Sequence, residues 1–79
     1  MVTAKRLEVR QVAGIKRNVL PKLLEQIRSP KRKIRLLTQI VNHHPQSETR
    51  NEAIWWLREL AVGGNKPAQE FLTKRGMTW

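Results

Sequence analysis

Apolar residues recur along this chain at helical spacing, and no segment shows the strict alternation of a half-buried strand. Proline and glycine cut the pattern into helix-length pieces. The first piece runs from about Thr3 to Ala13 and ends at Gly14. The second covers residues 15–28, and its apolar positions are Ile15, Val19, Leu20, Leu23, Leu24 and Ile27.

Pro21 lies inside the second piece. Proline removes a backbone donor, and the residue before it resists the helical conformation. The sequence leaves two structures open here: a helix that is kinked at Pro21, or a helix that begins there.

A serine and a proline predict the start of the third helix. Ser29 supplies a capping hydroxyl and Pro30 suits the first helical position. We expect this helix to run to about His43, ahead of Pro45, with these residues facing inward: Ile34, Leu37, Ile40 and Val41.

Ser47 is the predicted cap of the fourth helix, with Glu48 and Glu52 near its positive end. The predicted inward face carries Ala53, Ile54, Leu57, Leu60 and Ala61. The pair at 63–64 is Gly-Gly and ends the helix.

A short last helix restarts at Asn65 and ends at Gly76, with Ala68, Phe71 and Leu72 inward. Since every element is helical and every connection short, neighbouring helices should pack antiparallel. The prediction is an all-α fold, a compact bundle of four to five short helices with antiparallel helix-turn-helix packing. We expect residues 1–79 to form one domain.

Size and composition indicate which sources of stability and which cell compartment to expect. A chain of 79 residues buries only roughly 60% of its unfolded surface, so a homodimer or a bound partner is an expected source of stability. The chain has no cysteine, which suits a reducing compartment, and we expect a cytoplasmic protein. No apolar stretch approaches the ~20 residues of a membrane span, and no signal peptide is evident, so no membrane partner is expected.

Charge is the dominant compositional feature. The net charge is +10, from 16 Lys and Arg against six glutamates. Residues 1–35 carry eleven cations against two glutamates, a net of +9, whereas residues 36–79 carry five against four, a net of +1. The basic half therefore indicates docking on an acidic partner, and the near-neutral half indicates packing.

A basic run, Lys31 to Arg35, opens the third predicted helix. Cations at a helix N-terminus oppose the macrodipole by ~0.3–1 kcal/mol each, whereas anions bind there. Phosphate contact is therefore preferred over the alternative of a merely solvated face. The predicted nucleic-acid-binding residues are Lys16, Arg17, Lys22, Arg28, Lys31, Arg32, Lys33 and Arg35.

Catalysis is rejected. Aspartate, cysteine and tyrosine are absent, and the two serines lie where helix caps are needed. The adjacent His43 and His44 would point about 100° apart on a helix, so no metal site and no cofactor are predicted. The pair is expected to be a solvated helix end.

Two segments resemble known families. Residues 8–24, with AGIKRNVLPKLL at their centre, resemble the helix-turn-helix of bacterial repressors. The resemblance implies that Gly14 makes the turn and that Lys16, Arg17 and Asn18 meet base edges.

Residues 52–72, EAIWWLRELAVGGNKPAQEFL, resemble the Sel-one-like repeats related to tetratricopeptide repeats. The positions in register are Ala53, Trp56, Ala61, Gly64, Ala68 and Leu72. The resemblance implies two closely packed antiparallel helices joined at Gly64, and a protein-binding role.

Trp55 falls opposite the apolar arc of the fourth helix, whereas Trp56 falls at its edge and should be half-buried. Three interpretations of Trp55 stay open: packing on another helix or on Trp79, a dimer or partner contact, and a platform for stacking a base.

The preferred hypothesis is a small non-enzymatic protein that binds DNA or RNA, with a regulatory role, through its basic half. The alternative is a helical-repeat-like adaptor or inhibitor that docks on an acidic protein partner. A third hypothesis is a basic ribosome-associated protein.

Overall fold

The computed structural model describes residues 13–79, and within them the chain forms four α-helices and no strand. A 3-10 turn, Arg17–Val19, precedes the four helices, which are α1 Leu20–Gln26, α2 Pro30–His43, α3 Ser47–Val62 and α4 Lys66–Lys74. The structure is 75% helical, which confirms the all-α bundle. The helix predicted from Thr3 falls outside the described residues except for its last position, Ala13.

Pro21 starts a helix and does not kink one. It lies in the first turn of α1, where its missing N–H would have no helical partner in any case. The preceding 3-10 turn is closed by the Val19 N–H, which donates to the Lys16 carbonyl at 3.0 Å. Of the two alternatives, the helix start is therefore correct. The helix ends at Gln26, because Ile27 is extended with φ −93° and ψ 109°.

The bounds of α2 match the prediction. Ser29 occupies the capping position in an extended conformation, but its side chain makes no capping hydrogen bond. The first turn is closed by backbone alone, through the Lys33 N–H and the Ser29 carbonyl at 3.1 Å. The helix ends at His43, and His44 is extended.

The predicted cap of α3 is wrong by one residue. Gln46 is the capping residue, and Ser47 is already helical. The Arg50 N–H closes the first turn on the Gln46 carbonyl at 3.1 Å, and the Gln46 N–H donates to Nδ1 of His44 at 3.1 Å. His44, the residue just after α2, therefore contacts the capping residue of α3.

Helix α3 packs against both α2 and α4 and forms the centre of the core. Its residues Ala53, Leu57 and Ala61, four apart, are completely buried. Small alanines let neighbouring helices approach closely, and each fully buried leucine contributes roughly 1.5–3 kcal/mol. The completed core is Leu20, Leu24, Leu36, Leu37, Ile40, Val41, Ala53, Leu57, Ala61, Ala68 and Leu72.

The turn from α3 to α4 ends one helix and starts the next. Gly64 has φ +101°, and its N–H donates to the Ala61 carbonyl at 3.0 Å. The Asn65 N–H donates to the Leu60 carbonyl at 3.0 Å, which completes a Schellman motif. The Asn65 side chain then accepts from the Ala68 N–H at 3.0 Å and caps α4. The predicted stop and restart are both confirmed.

The end of α4 uses the same motif. Gly76 has φ +73°, and the Met77 N–H donates to the Leu72 carbonyl at 2.9 Å. The tail then returns to α3, where Nε of Arg58 donates to the Thr78 carbonyl at 3.1 Å. The last three residues are thereby held against the helix pair.

Gly64→Ala should lower the free energy of unfolding by about 1–2 kcal/mol, because an alanine is strained at positive φ. The strain is in the backbone alone, since an added Cβ would meet nothing within 4 Å. Gly63→Ala is the matched control. Gly63 has φ −76°, and its added Cβ would lie 3.5 Å from two carbonyl oxygens, an ordinary contact. We expect it to be neutral or stabilising by roughly 0.4–1 kcal/mol. Urea unfolding followed by circular dichroism measures both, and equal destabilisation would contradict the turn geometry.

Candidate functional site

The outer side of α2 carries a cluster of cations. Lys31, Arg32 and Arg35 are exposed, and we call them the cationic face. At 100° per residue, Lys31 and Arg35 lie opposite the buried positions of the same helix, which are Leu36, Leu37, Ile40 and Val41. Arg32 lies at the edge of the exposed arc, about 60° from Arg35. Lys31 and Arg35 are four apart and Arg32 and Arg35 three apart, so their Cβ atoms are about 5–6 Å from each other. These cations therefore form one patch.

The cationic face is electrostatically costly to the folded protein. Helix α2 contains no aspartate or glutamate, and its first turn has no acid to complement the macrodipole. Like charges three and four apart repel, and each first-turn cation opposes the dipole by ~0.3–1 kcal/mol. Because Ser29 does not cap the helix, the first backbone N–H groups also lack a side-chain acceptor. An anion bound here would relieve all three penalties.

Lys33 belongs to the predicted set but lies on a different side. It precedes Leu37 by one helical turn and is half-buried. Its aliphatic stem can cover apolar surface while the ammonium stays in water. The structure thus separates Lys33 from the cationic face.

The remaining predicted cations fall into two groups. Arg28 is exposed in the connection just ahead of α2, beside the cationic face, and Lys22 is exposed on α1. Lys16 and Arg17 are exposed too, but the Ile15 carbonyl is bound at 2.6 Å by Nε2 of His44. This bond holds residues 15–17 at the far end of α2, about 20 Å from its start for a helix of 14 residues.

Arg75 is a candidate that the sequence reasoning missed. Its guanidinium donates to Oδ1 of Asn42, and it lies over the Phe71 ring at 4.8 Å from the centroid. Asn42 is on the outer side of α2, seven residues after Arg35. Arg75 therefore places a positive charge at the other end of the same side. No sequence signal could show this, because Arg75 and Asn42 are 33 positions apart.

The prediction of a solvated histidine pair is correct for His43 and wrong for His44. His43 is exposed, as predicted, but His44 is only 2% exposed. Since the Gln46 N–H donates to Nδ1, the ring proton is on Nε2, which donates to the Ile15 carbonyl. The His44 carbonyl accepts from the Arg50 guanidinium at 2.5 Å. His44 is therefore a structural tie and not a solvated end.

The two adjacent tryptophans differ in burial, as predicted. Trp55 is 49% exposed, whereas Trp56 is half-buried with its Nε1 enclosed and lacking a hydrogen-bond partner. Their rings meet edge to face, with centroids 4.9 Å apart and planes at 90°. Trp79, also 49% exposed, lines an open depression on α4. The other residues that line it are Gln69, Glu70, Thr73 and Lys74.

Residues 13–79 hold no group of three or more histidine, cysteine or acidic side chains arranged to bind a metal ion. Over the same residues, no helix has the length and apolarity to cross a membrane. No protein-family model, curated protein or solved structure matches this chain.

His44→Ala should lower the free energy of unfolding by about 1–3 kcal/mol, because it leaves the Ile15 carbonyl and the Gln46 N–H without partners. His43→Ala, one residue away and exposed, should stay within about 0.5 kcal/mol of the parent. Denaturant unfolding of both variants measures the difference. If the two variants unfold alike, His44 does not tie the 15–17 segment to α2.

Proposed function

We propose that this is a non-enzymatic nucleic-acid-binding protein that contacts phosphates through the cationic face, Lys31, Arg32 and Arg35. The observation that carries the proposal is the charge arrangement on α2. Three exposed cations share one side of a helix that has no acid and whose first turn is uncapped. A polyanion is the ligand that this unfavourable arrangement fits best.

Binding would be driven mainly by the release of counterions from the nucleic acid. Each phosphate neutralised by Lys or Arg contributes about 0.9 to the slope of log K against log salt for duplex DNA, and about 0.7 for single strands. Arg28 extends the surface beyond the start of α2, and Arg75 extends it at the far end. The same chemistry serves DNA and RNA.

The other predicted contacts have different roles in this proposal. Lys16 and Arg17, at the far end of α2, would reach a second stretch of backbone and not the phosphates under the cationic face. Lys22 would add a contact from α1. Lys33 would reach the backbone only from the edge of the surface, because it is half-buried. We propose that the protein is cytoplasmic and that its nucleic-acid binding has a regulatory role.

An adaptor or inhibitor that docks on an acidic protein is the second candidate. Its support is the tight α3–α4 pair, in which Ala53, Ala61 and Ala68 are completely buried around the Gly64 turn. That packing is the kind which the repeat resemblance implies. A homodimer is compatible with either candidate. Binding to random DNA and RNA at low salt separates the two, since only the first requires it.

The double variant Lys31→Gln/Arg35→Gln should weaken binding to a random 20-base-pair duplex. It should also flatten the salt slope by roughly 1.8, because two phosphates would no longer be neutralised. The matched control is Lys66→Gln/Lys74→Gln, which removes the same charge from exposed positions on α4. It should change the slope much less. Fluorescence anisotropy from about 50 to 200 mM salt, the range over which such binding weakens steeply, measures both.

Equal flattening by the two variants would show that total charge, and not the cationic face, sets the affinity. An affinity that does not depend on salt, or no binding to either DNA or RNA at the lowest salt concentration, would rule out the proposed function and favour the acidic protein partner.

A further inference from the structure

The outer side of α3 presents an exposed tryptophan among carboxylates. We call Glu48, Trp55, Glu59 and Val62 the Trp55 face. Glu59 follows Trp55 by four residues, whereas Glu48 precedes it and Val62 follows it by seven, so all lie in one stripe. Trp55 is 49% and Val62 71% exposed, and both glutamates are exposed. An unpartnered stripe with a large ring at its centre is a candidate docking surface.

The charge of this stripe is opposite to that of the molecule. Three of the six glutamates in a chain of net charge +10 are on α3: Glu48, Glu52 and Glu59. Glu48 is in the first turn of the helix and complements its macrodipole, but Glu59 is in its last turn, where a carboxylate opposes the macrodipole. Helix stability therefore explains Glu48 and not Glu59.

Both arginines of α3 are engaged in other contacts. The Arg50 guanidinium donates to the His44 carbonyl, and Nε of Arg58 donates to the Thr78 carbonyl of the tail. Arg58 borders the stripe but is drawn toward the tail. The carboxylates of the Trp55 face are thus left to complement charge from outside the helix.

The Trp55 ring packs against the ring of its neighbour in the chain, Trp56. The half-buried Trp56 supports it edge to face at 4.9 Å, an arrangement that aromatic pairs prefer. This contact restricts the rotamers of Trp55, so a ligand that covers the ring loses less conformational entropy than one that must order a free side chain. Since Trp55 is 49% exposed, part of the indole is open to a ligand.

We infer that the Trp55 face binds an arginine-bearing segment of another protein. A guanidinium stacks on an indole through cation–π attraction, and the Glu59 carboxylate, one helical turn away, can accept its N–H groups. Glu48 lies about 10 Å from Trp55 along the helix and would attract a second cation of the same segment. Arginine fits better than lysine because its planar group both stacks and forks toward carboxylates. A nucleic acid fits poorly, because its phosphates would approach Glu48 and Glu59.

This inference goes beyond the proposed function and does not depend on it. The cationic face and the Trp55 face are on different helices that pack together through their apolar sides, so the two faces point away from a common core. One polyanion and one cationic segment can then be bound at once. The protein would then link a nucleic acid to the protein that carries the arginine segment.

The test uses the full chain and a short peptide in which arginine alternates with glycine and serine. Calorimetric titration at about 150 mM salt limits long-range repulsion, since the Debye length is then about 8 Å. Trp55→Leu should weaken peptide binding by roughly 2- to 5-fold, the range for an exposed cation–π contact. Glu59→Gln should weaken it as well, and a lysine peptide should bind less tightly than the arginine peptide.

Trp79→Leu is the matched control, because Trp79 has the same 49% exposure but is in the C-terminal tail, where it lines the depression that includes Lys74. It should leave peptide affinity unchanged, and thermal melts should show that both tryptophan variants fold like the parent. No binding of the arginine peptide, or equal weakening in the two tryptophan variants, would each overturn the inference.

Two further outcomes would also overturn the inference, because each would assign the Trp55 face to another occupant. A drop in duplex affinity in Trp55→Leu would make the indole a base-stacking platform. Concentration-dependent dimerisation that Trp55→Leu abolishes, measured by sedimentation, would make a second copy the occupant. Lys31→Gln/Arg35→Gln should leave peptide affinity intact, so failure of the nucleic-acid proposal is distinguishable from failure of this one.

Discussion

The completely buried row of α3, Ala53, Leu57 and Ala61, is the constraint on which the other features depend. Its small residues let α2 and α4 pack closely on the same helix, since neither alanine holds the neighbouring backbone away. Once α2 and α3 share a core, each helix has one stripe left for solvent. The residues that the core buries therefore decide which charges and aromatic rings are left to face solvent.

The two solvent stripes differ in charge, and each includes charge that its own helix disfavours. Lys31 and Arg32 stand at the positive end of α2, and Glu59 stands at the negative end of α3. Each such position costs roughly 0.3–1 kcal/mol in a protein of marginal size. Ligands of opposite charge at the two stripes would offset these costs, which is the physical link between the proposed function and the further inference.

Long-range polar ties determine how much of the basic half forms one surface. The bond from His44 to the Ile15 carbonyl spans 29 positions and places Lys16 and Arg17 beside the end of α2. The contact of Arg75 with Asn42 spans 33 positions and adds a cation on the outer side of that helix. The predicted cations are thus divided between the two ends of α2, and a cation from the near-neutral half joins them.

The sequence alone determined the helical class, most helix bounds and the inward faces, because prolines, glycines and apolar spacing act within a few residues. It also led to the prediction of Lys31, Arg32 and Arg35 as contacts, and their spacing places Lys31 and Arg32 next to Arg35, since residues three and four apart are neighbours on a helix surface. Only the tertiary structure decided that His44 is buried, that Gln46 and not Ser47 takes the capping position of α3, and that Arg75 reaches α2. Each of these depends on how the packed helices and the turn between them meet, which spacing along the chain does not encode.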